Sequence, residues 1–99
     1  MEFEFADRKL QRLYVDRGFS AKMAPALVKA FREMMDTIRD AQDERDFYAL
    51  KSVHFERLSG TRSHLHSMRL NDQYRLIVSL VEQQGGRKRV SIISIEDYH

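Results

Sequence analysis

The sequence predicts a small α+β domain: an N-terminal strand and two to three helices packed on an antiparallel sheet that ends in a three-strand meander. Three observations predict this class. The first residues alternate apolar and polar types, the middle of the chain repeats apolar residues at helical spacing, and the last third alternates again in three segments. A chain of 99 residues supports one core, so residues 1–99 are expected to form a single domain.

The N-terminal half is expected to begin with a strand and a short helix. MEFEF alternates, which predicts a strand with Phe3 and Phe5 on one side. Asp7 is placed to cap the following helix, RKLQRLYVDRG, and Gly18 is expected to end it.

A longer helix is predicted after Ser20, with Pro25 in its first turn. Its apolar stripe consists of Met23, Leu27, Ala30, Phe31, Met34, Ile38 and Ala41. A brief third helix, DERDFYALK, is expected to bury Phe47 and Leu50.

Three strands are predicted in the remaining third of the chain. They are SHLHSMRL, QYRLIVSLVE and RVSIISI, joined by NDQ and by QQGGRK. A two-residue loop in the first hairpin would mix apolar and polar residues on each face. A loop of residues 71–73 instead places Met68 opposite Leu76 on one face and Arg69 opposite Arg75 on the other, and we prefer it.

The pairing of Arg69 with Arg75 has two interpretations. Like charges directly opposite each other destabilise a sheet by a few tenths to about 1 kcal/mol. Either an anion such as a phosphate sits between the guanidinium groups, or each arginine pairs with a neighbouring carboxylate, of which Asp72 and Asp97 are candidates.

Charge and composition restrict the classes of function. Up to Val53 the chain has ten Lys/Arg and ten Asp/Glu, whereas from His54 it has seven Lys/Arg and five Asp/Glu, together with all four histidines. This distribution suits a polyanionic partner, or is simply a solvated face. The chain has no cysteine, no signal-peptide layout and no apolar run of membrane-spanning length, so we expect a cytoplasmic protein without disulfides and without membrane association.

The last three residues, Asp97, Tyr98 and His99, combine an acid, a phenol and an imidazole. Histidine exchanges protons near neutral pH, and tyrosine offers a hydrogen-bond donor and a face on which a base can stack. With two arginines nearby, these groups have the parts needed to cut RNA without a metal. His64 and His66 alternate on a strand, but no third ligand is evident, so neither a metal nor another cofactor is expected.

Three segments resemble a known family. LSGTR is followed by SMRLNDQYRLIV, and the sequence ends in SIEDYH. They closely resemble the HigB-type plasmid-maintenance killer toxins of the RelE superfamily, which typically show L-K-G, then S-I-R-V-N-D-Q-[WY]-R-I, then a final D-Y-H. The strong match covers Leu58 to His99, whereas the N-terminal half agrees in layout alone.

The resemblance implies a RelE-like fold and the toxin of a type II toxin–antitoxin system. It implies a ribosome-dependent endoribonuclease that cleaves mRNA in the decoding site of the 70S ribosome. It also implies a cognate helix-turn-helix antitoxin of the HigA type, through which the complex binds operator DNA. An alternative is a catalytically weak protein of this fold that acts by binding a translation component or its antitoxin.

The resemblance also assigns residues. The catalytic candidates are His99 for proton transfer, Arg69 and Arg75 for phosphate binding and charge stabilisation, and Tyr98 for base stacking or phenolic hydrogen bonding. Asp97 is expected to orient these cations.

Substrate-binding candidates are Asp72, Arg62, Arg57 and His54. Asp72 matches the motif acid, while Arg62 and Arg57 flank Ser59, which stands where the family usually has Lys. Some members place a functional histidine just before the L-K-G segment; His54 is offset from that location, and packing in the core or at the surface is the alternative. The basic hairpin residues 87–89 fit contacts with ribosomal RNA and a solvated turn equally well.

Overall fold

A computed structural model of the chain describes residues 1–98 and shows helices packed on a five-stranded sheet. The strands are β1 (Phe3–Phe5), β2 (Glu56–Arg57), β3 (Leu65–Arg69), β4 (Tyr74–Glu82) and β5 (Lys88–Asp97), and the helices are α1 (Arg8–Val15), α2 (Pro25–Asp40) and α3 (Arg45–Ala49). The strand order is β1-β5-β4-β3-β2. The predicted α+β class with a C-terminal meander is confirmed.

One hydrophobic core fills the space between the helices and one face of the sheet. Its fully buried members include Leu13, Phe31, Met35, Ile38, Phe47, Met68, Leu76, Val78, Val90 and Ile92. The stripe predicted for α2 supplies two of them, Phe31 and Ile38, and the same helix adds Met35, which the stripe did not include. Phe3 and Phe5 pack against this core from the same side of β1, as the alternation predicted.

The beginning of α1 follows its local sequence, but its end does not. The Asp7 carboxylate accepts hydrogen bonds from the backbone N–H groups of Lys9 and Leu10, which confirms the predicted cap. The prediction that Gly18 ends the helix is wrong. The chain already leaves the helix at Asp16, whose extended backbone (φ −109°, ψ 103°) turns the chain.

A residue of α2 satisfies the carbonyl groups at and after that helix end. The Arg32 guanidinium donates to the carbonyl oxygens of Leu13 at 3.0 Å, Asp16 at 3.1 Å and Phe19 at 3.2 Å. Such carbonyls have no partner within their own helix and need one elsewhere. The turn after α1 is therefore held by a tertiary contact.

The third helix is shorter than predicted and buries one of its two expected residues. Phe47 is fully buried, whereas Leu50 is 47% exposed. Leu50 follows α3 with an extended backbone (φ −91°, ψ 98°), so it no longer lies on the helical face that Phe47 presents to the core.

The sheet has two features that the sequence did not reveal. β1 pairs in parallel with β5, with Phe3 opposite Val90, so the sheet is mixed rather than wholly antiparallel. The two-residue strand β2 adds an edge beside β3. β1 and β5 are far apart in sequence, and β2 has too few residues to show a periodic pattern.

The hairpin of β3 and β4 has the predicted register. Met68 lies opposite Leu76 and Arg69 opposite Arg75. The Asn71 side-chain oxygen accepts from the backbone N–H of Gln73 at 2.9 Å and of Tyr74 at 2.7 Å, which closes the three-residue loop. The sheet face opposite the helices, which we call the open face, consequently carries both arginines.

Within residues 1–98, no helix is long and apolar enough to cross a membrane.

Candidate functional site

A shallow cleft of about 190 Å³ lies on the open face, where β4 and β5 meet the turn before β3. Among the residues that line it are Arg62, Ser67, Arg75, Glu96, Asp97 and Tyr98. Arg75 lies opposite Glu96, so the two side chains share the open face, whereas Asp97 lies opposite Tyr74 and its side chain alternates to the other face. Residues two apart share a face, so Tyr98 follows Glu96 towards Arg75.

Arg75 is held by backbone oxygens and by an aromatic ring. Its Nη1 donates to the carbonyl oxygen of Asn71 at 2.9 Å, and its guanidinium carbon lies 4.1 Å from the centre of the Tyr98 ring. No carboxylate among residues 1–98 lies within ion-pair distance of this group. Its positive charge is thus fixed in place but not neutralised by a described residue.

Arg69 has a different environment from its neighbour across the hairpin. It forms an ion pair with Asp72, and its Nε donates to the same Asn71 carbonyl oxygen at 3.4 Å. The carboxylate interpretation therefore holds for Arg69. For Arg75, the nearby carboxylates of Asp72 and Glu96 pair with other arginines, so the carboxylate interpretation does not extend to it within the described residues.

A second cation of the cleft is paired across the chain. Arg62 Nη2 donates to Glu96 Oε2 at 2.7 Å, and the Ser94 hydroxyl donates to the same oxygen at 3.1 Å. The hydrogen bond from Arg62 lowers the pKa of the Glu96 carboxyl, and the bond from Ser94 lowers it further. Sequence reasoning missed Glu96, although its position one residue before the final triplet puts it on the Arg75 face by strand alternation.

Asp97 connects the tail to the hairpin loop. Its Oδ2 accepts a hydrogen bond from Gln73 Nε2 at 2.9 Å, and the backbone N–H of Tyr98 donates to the Gln73 carbonyl oxygen at 2.6 Å. The loop NDQ and the final triplet, which are distant in sequence, therefore form one hydrogen-bonded unit. His99, the predicted proton-transfer residue, lies outside the described residues.

Asp72, which pairs with Arg69 at the hairpin loop, is not among the residues that line the cleft, and two other predicted substrate-binding residues lie elsewhere. Arg57 sits opposite His66 across β2 and β3, which directs it to the helix-bearing side of the sheet. His54 is exposed beside α3, in a hollow lined also by Tyr48 and Phe55, with a left-handed backbone (φ 48°). The fold brings neither to the cleft that contains Arg75.

His66 is a core residue rather than a surface ligand. It is 6% exposed, and its ring stacks on Phe55 with the centres 4.6 Å apart. Burial lowers the pKa of His66, and the nearby charges of Arg57 and Lys88 lower it further. His64 precedes β3 and is exposed, and residues 1–98 contain no cluster of three potential metal ligands.

Two of the three positive charges in the hairpin between β4 and β5 are paired with carboxylates. Lys88 pairs with Glu44 at 2.8 Å, and Arg89 lies 3.5 Å from Glu2. Both cations therefore have carboxylate partners within the chain.

The cleft has the chemistry of a nucleotide-binding surface. A fixed guanidinium can hold a phosphate oxygen, and a 59% exposed tyrosine ring leaves area for a base to stack.

Comparisons with known proteins identify the family. The model for the RelE-like toxin of type II toxin–antitoxin system HigB matches residues 3–87. No curated protein matches at a significant level. Among solved structures, a YoeB/ParE toxin from Agrobacterium tumefaciens shares 12% identity with a TM-score of 0.56, and each chain is covered over 100% of its length.

A second solved structure gives the same result. A chain of the YoeB–YefM complex from Staphylococcus aureus shares 16% identity with a TM-score of 0.57, over 100% of this chain and 97% of that chain. At such identities the likeness shows the fold. Because the family model spans most of the sequence, the chain belongs to the HigB family of RelE-like toxins of type II toxin–antitoxin systems.

Proposed function

We propose that this toxin is a ribosome-dependent endoribonuclease that cleaves mRNA in the decoding site and so arrests translation and growth. The observation that carries the proposal is the guanidinium of Arg75, which lies 4.1 Å from the Tyr98 ring on the open face and has no carboxylate partner among residues 1–98. A guanidinium whose charge is not paired with a carboxylate can bind a phosphate through charge-assisted, often bidentate, hydrogen bonds.

The proposed reaction is attack of a ribose 2′-oxygen on the adjacent phosphorus. The 2′-hydroxyl loses its proton, the new P–O bond forms, and the 5′-oxygen leaves with a proton. Arg75 would stabilise the extra negative charge on the phosphoryl oxygens, assisted by Arg69. His99 is the expected proton-transfer group, and the step as proposed uses side chains rather than a metal.

The ribosome would supply much of the substrate positioning. The cleft is only about 190 Å³, which is too small to enclose a nucleotide together with its neighbours. A toxin of this kind needs mRNA to be presented with its phosphate in line, and such orientation lowers the activation barrier by several kcal/mol. Free RNA should therefore be a poor substrate.

We also propose a cognate antitoxin, of the helix-turn-helix HigA type, that neutralises the toxin and carries the complex to operator DNA. Membership of a toxin–antitoxin family supports such a partner, and one of the solved structures similar in fold is a YoeB–YefM complex. The site of action would be the cytoplasm, where translating ribosomes are found.

Cleavage of mRNA on purified ribosomes tests the proposal. The wild-type chain should produce fragments that primer extension maps within codons, and Arg75→Ala should lower the single-turnover rate about 10²- to 10³-fold. Arg45→Ala is the matched control, because Arg45 is 87% exposed on α3 and pairs with Asp43. Unchanged cleavage by Arg75→Ala would contradict the assignment of Arg75.

One observation favours the binding-only alternative. Arg62 and Arg69 are already paired with carboxylates, so a large part of the positive charge of the site is neutralised. Expression of the gene alone and with its neighbouring reading frame distinguishes the two functions. Growth arrest with mRNA fragments supports the nuclease, whereas arrest without fragments supports binding to a translation component.

A further inference from the structure

The tail that carries Tyr98 lies against the loop of the β3–β4 hairpin. β5 ends at Asp97, and the backbone N–H of Tyr98 then donates to the Gln73 carbonyl oxygen at 2.6 Å. This bond continues the ladder one step beyond the last paired residues of β4 and β5. The tail is thereby directed along the loop rather than into solvent.

Gln73 contacts the tail with its side chain as well as its backbone. Its Nε2 donates to Asp97 Oδ2 at 2.9 Å. On the loop side, its own backbone N–H donates to Asn71 Oδ1 at 2.9 Å. The residue is therefore fixed by the loop and in turn holds two successive residues of the tail.

These contacts link Gln73 to Arg75 through both the tail and the hairpin loop. The Tyr98 ring lies 4.1 Å from the guanidinium carbon of Arg75, whose Nη1 donates to the Asn71 carbonyl oxygen at 2.9 Å. The Asn71 side-chain oxygen also accepts from the backbone N–H of Gln73, and the Gln73 side chain donates to Asp97 in the tail. A displacement of Gln73 would thus shift the aromatic ring relative to the cation.

We infer that Gln73 is a positioning residue that binds the tail at Asp97 and so keeps the Tyr98 ring against Arg75, which lets the ring and the guanidinium meet the same nucleotide. The inference rests on the proposed nuclease function. Gln73 and Asp97 are both exposed, so the contact should add little to stability. A misplacement of about 1 Å in an active site can nevertheless cost about a hundredfold in rate.

Three exposed-site variants test the role of the Gln73 carboxamide. Gln73→Glu replaces a donor with an anion facing Asp97, Gln73→Lys supplies a cationic donor at the same place, and Gln84→Glu adds the same charge in the remote turn between β4 and β5. At saturating ribosomes, Gln73→Glu should lower kcat about ten- to a hundredfold without changing Tm. Gln73→Lys and Gln84→Glu should stay within about threefold of wild type.

A second readout is independent of nuclease activity. Hydrogen exchange of the Tyr98 amide, followed by NMR, should be roughly fivefold faster in Gln73→Glu and unchanged in Gln84→Glu, because loss of the side-chain bond frees the tail. If the wild-type chain cleaves no mRNA, the proposed function fails and the exchange rates alone decide whether Gln73 holds the tail. Unchanged exchange would overturn the inference, and so would faster exchange with an unchanged kcat.

Discussion

Substitutions of Tyr98 distinguish two roles for this residue in the proposed RNA cleavage, base stacking and chemistry through the phenolic hydroxyl. One face of its ring covers the Arg75 guanidinium, and 59% of the side chain is exposed. Stacking of a base on an aromatic side chain contributes about 1–3 kcal/mol, which is about five- to 150-fold in kcat/KM. We therefore expect Tyr98→Leu to lose this factor and Tyr98→Phe, which keeps the ring, to retain activity within about threefold.

The stability change should be much smaller than the change in activity. An exposed cation–π contact is worth about 0.5–1 kcal/mol, so Tyr98→Leu should lower the free energy of unfolding by no more than that. Tyr48→Leu is the matched control, because Tyr48 is also 59% exposed but lies on α3, away from the cleft.

The assay is single-turnover cleavage of mRNA on purified ribosomes, with urea unfolding measured on the same samples. If the phenol donates or transfers a proton, its removal costs about 10²- to 10⁴-fold. Equal and large losses for Tyr98→Phe and Tyr98→Leu would therefore refute the stacking interpretation and assign the chemistry to the hydroxyl.

Two further predictions concern stability. Arg32→Lys keeps the charge but cannot reach all three carbonyl oxygens around the end of α1, so it should destabilise the fold by about 1.5–3 kcal/mol in urea unfolding, whereas Arg39→Lys should have little effect. Because the pKa of His66 is lower in the fold than its ordinary 6.5, the contribution of His66 to stability is fully present above pH 6.5 and is lost as the pH drops from 6.5 towards the folded pKa. His66→Leu should reduce the pH dependence of the unfolding free energy measured between pH 5.5 and 7.5, whereas His64→Gln should not. An unchanged pH dependence in His66→Leu would contradict this prediction.

Local features of the sequence were sufficient for many elements of the fold. A side-chain cap such as Asp7 acts within three residues, and α2 follows from an apolar repeat of helical spacing. The register of the β3–β4 hairpin followed from sorting side chains by face, because a shift of one residue moves every side chain to the other face.

Long-range contacts decided what the sequence pattern missed. The parallel pairing of β1 with β5 depends on chain ends that are far apart in sequence. The carbonyl oxygens around the end of α1 are bound by Arg32, a residue of the next helix, and no local pattern indicates this contact. His66 looked like half of a surface pair, yet β2 and Phe55 cover it.

The candidate site divides in the same way. The sequence by itself determined the family, the facing arginines Arg69 and Arg75, and the chemical capability of the final triplet, because these depend on residue types and strand alternation. Only the tertiary structure decided which arginine is neutralised, that Glu96 pairs with Arg62, and that Gln73 joins the hairpin loop to the tail. The physical reason is that hydrogen bonds and ion pairs are set by distances of a few ångströms between segments, which no local pattern specifies.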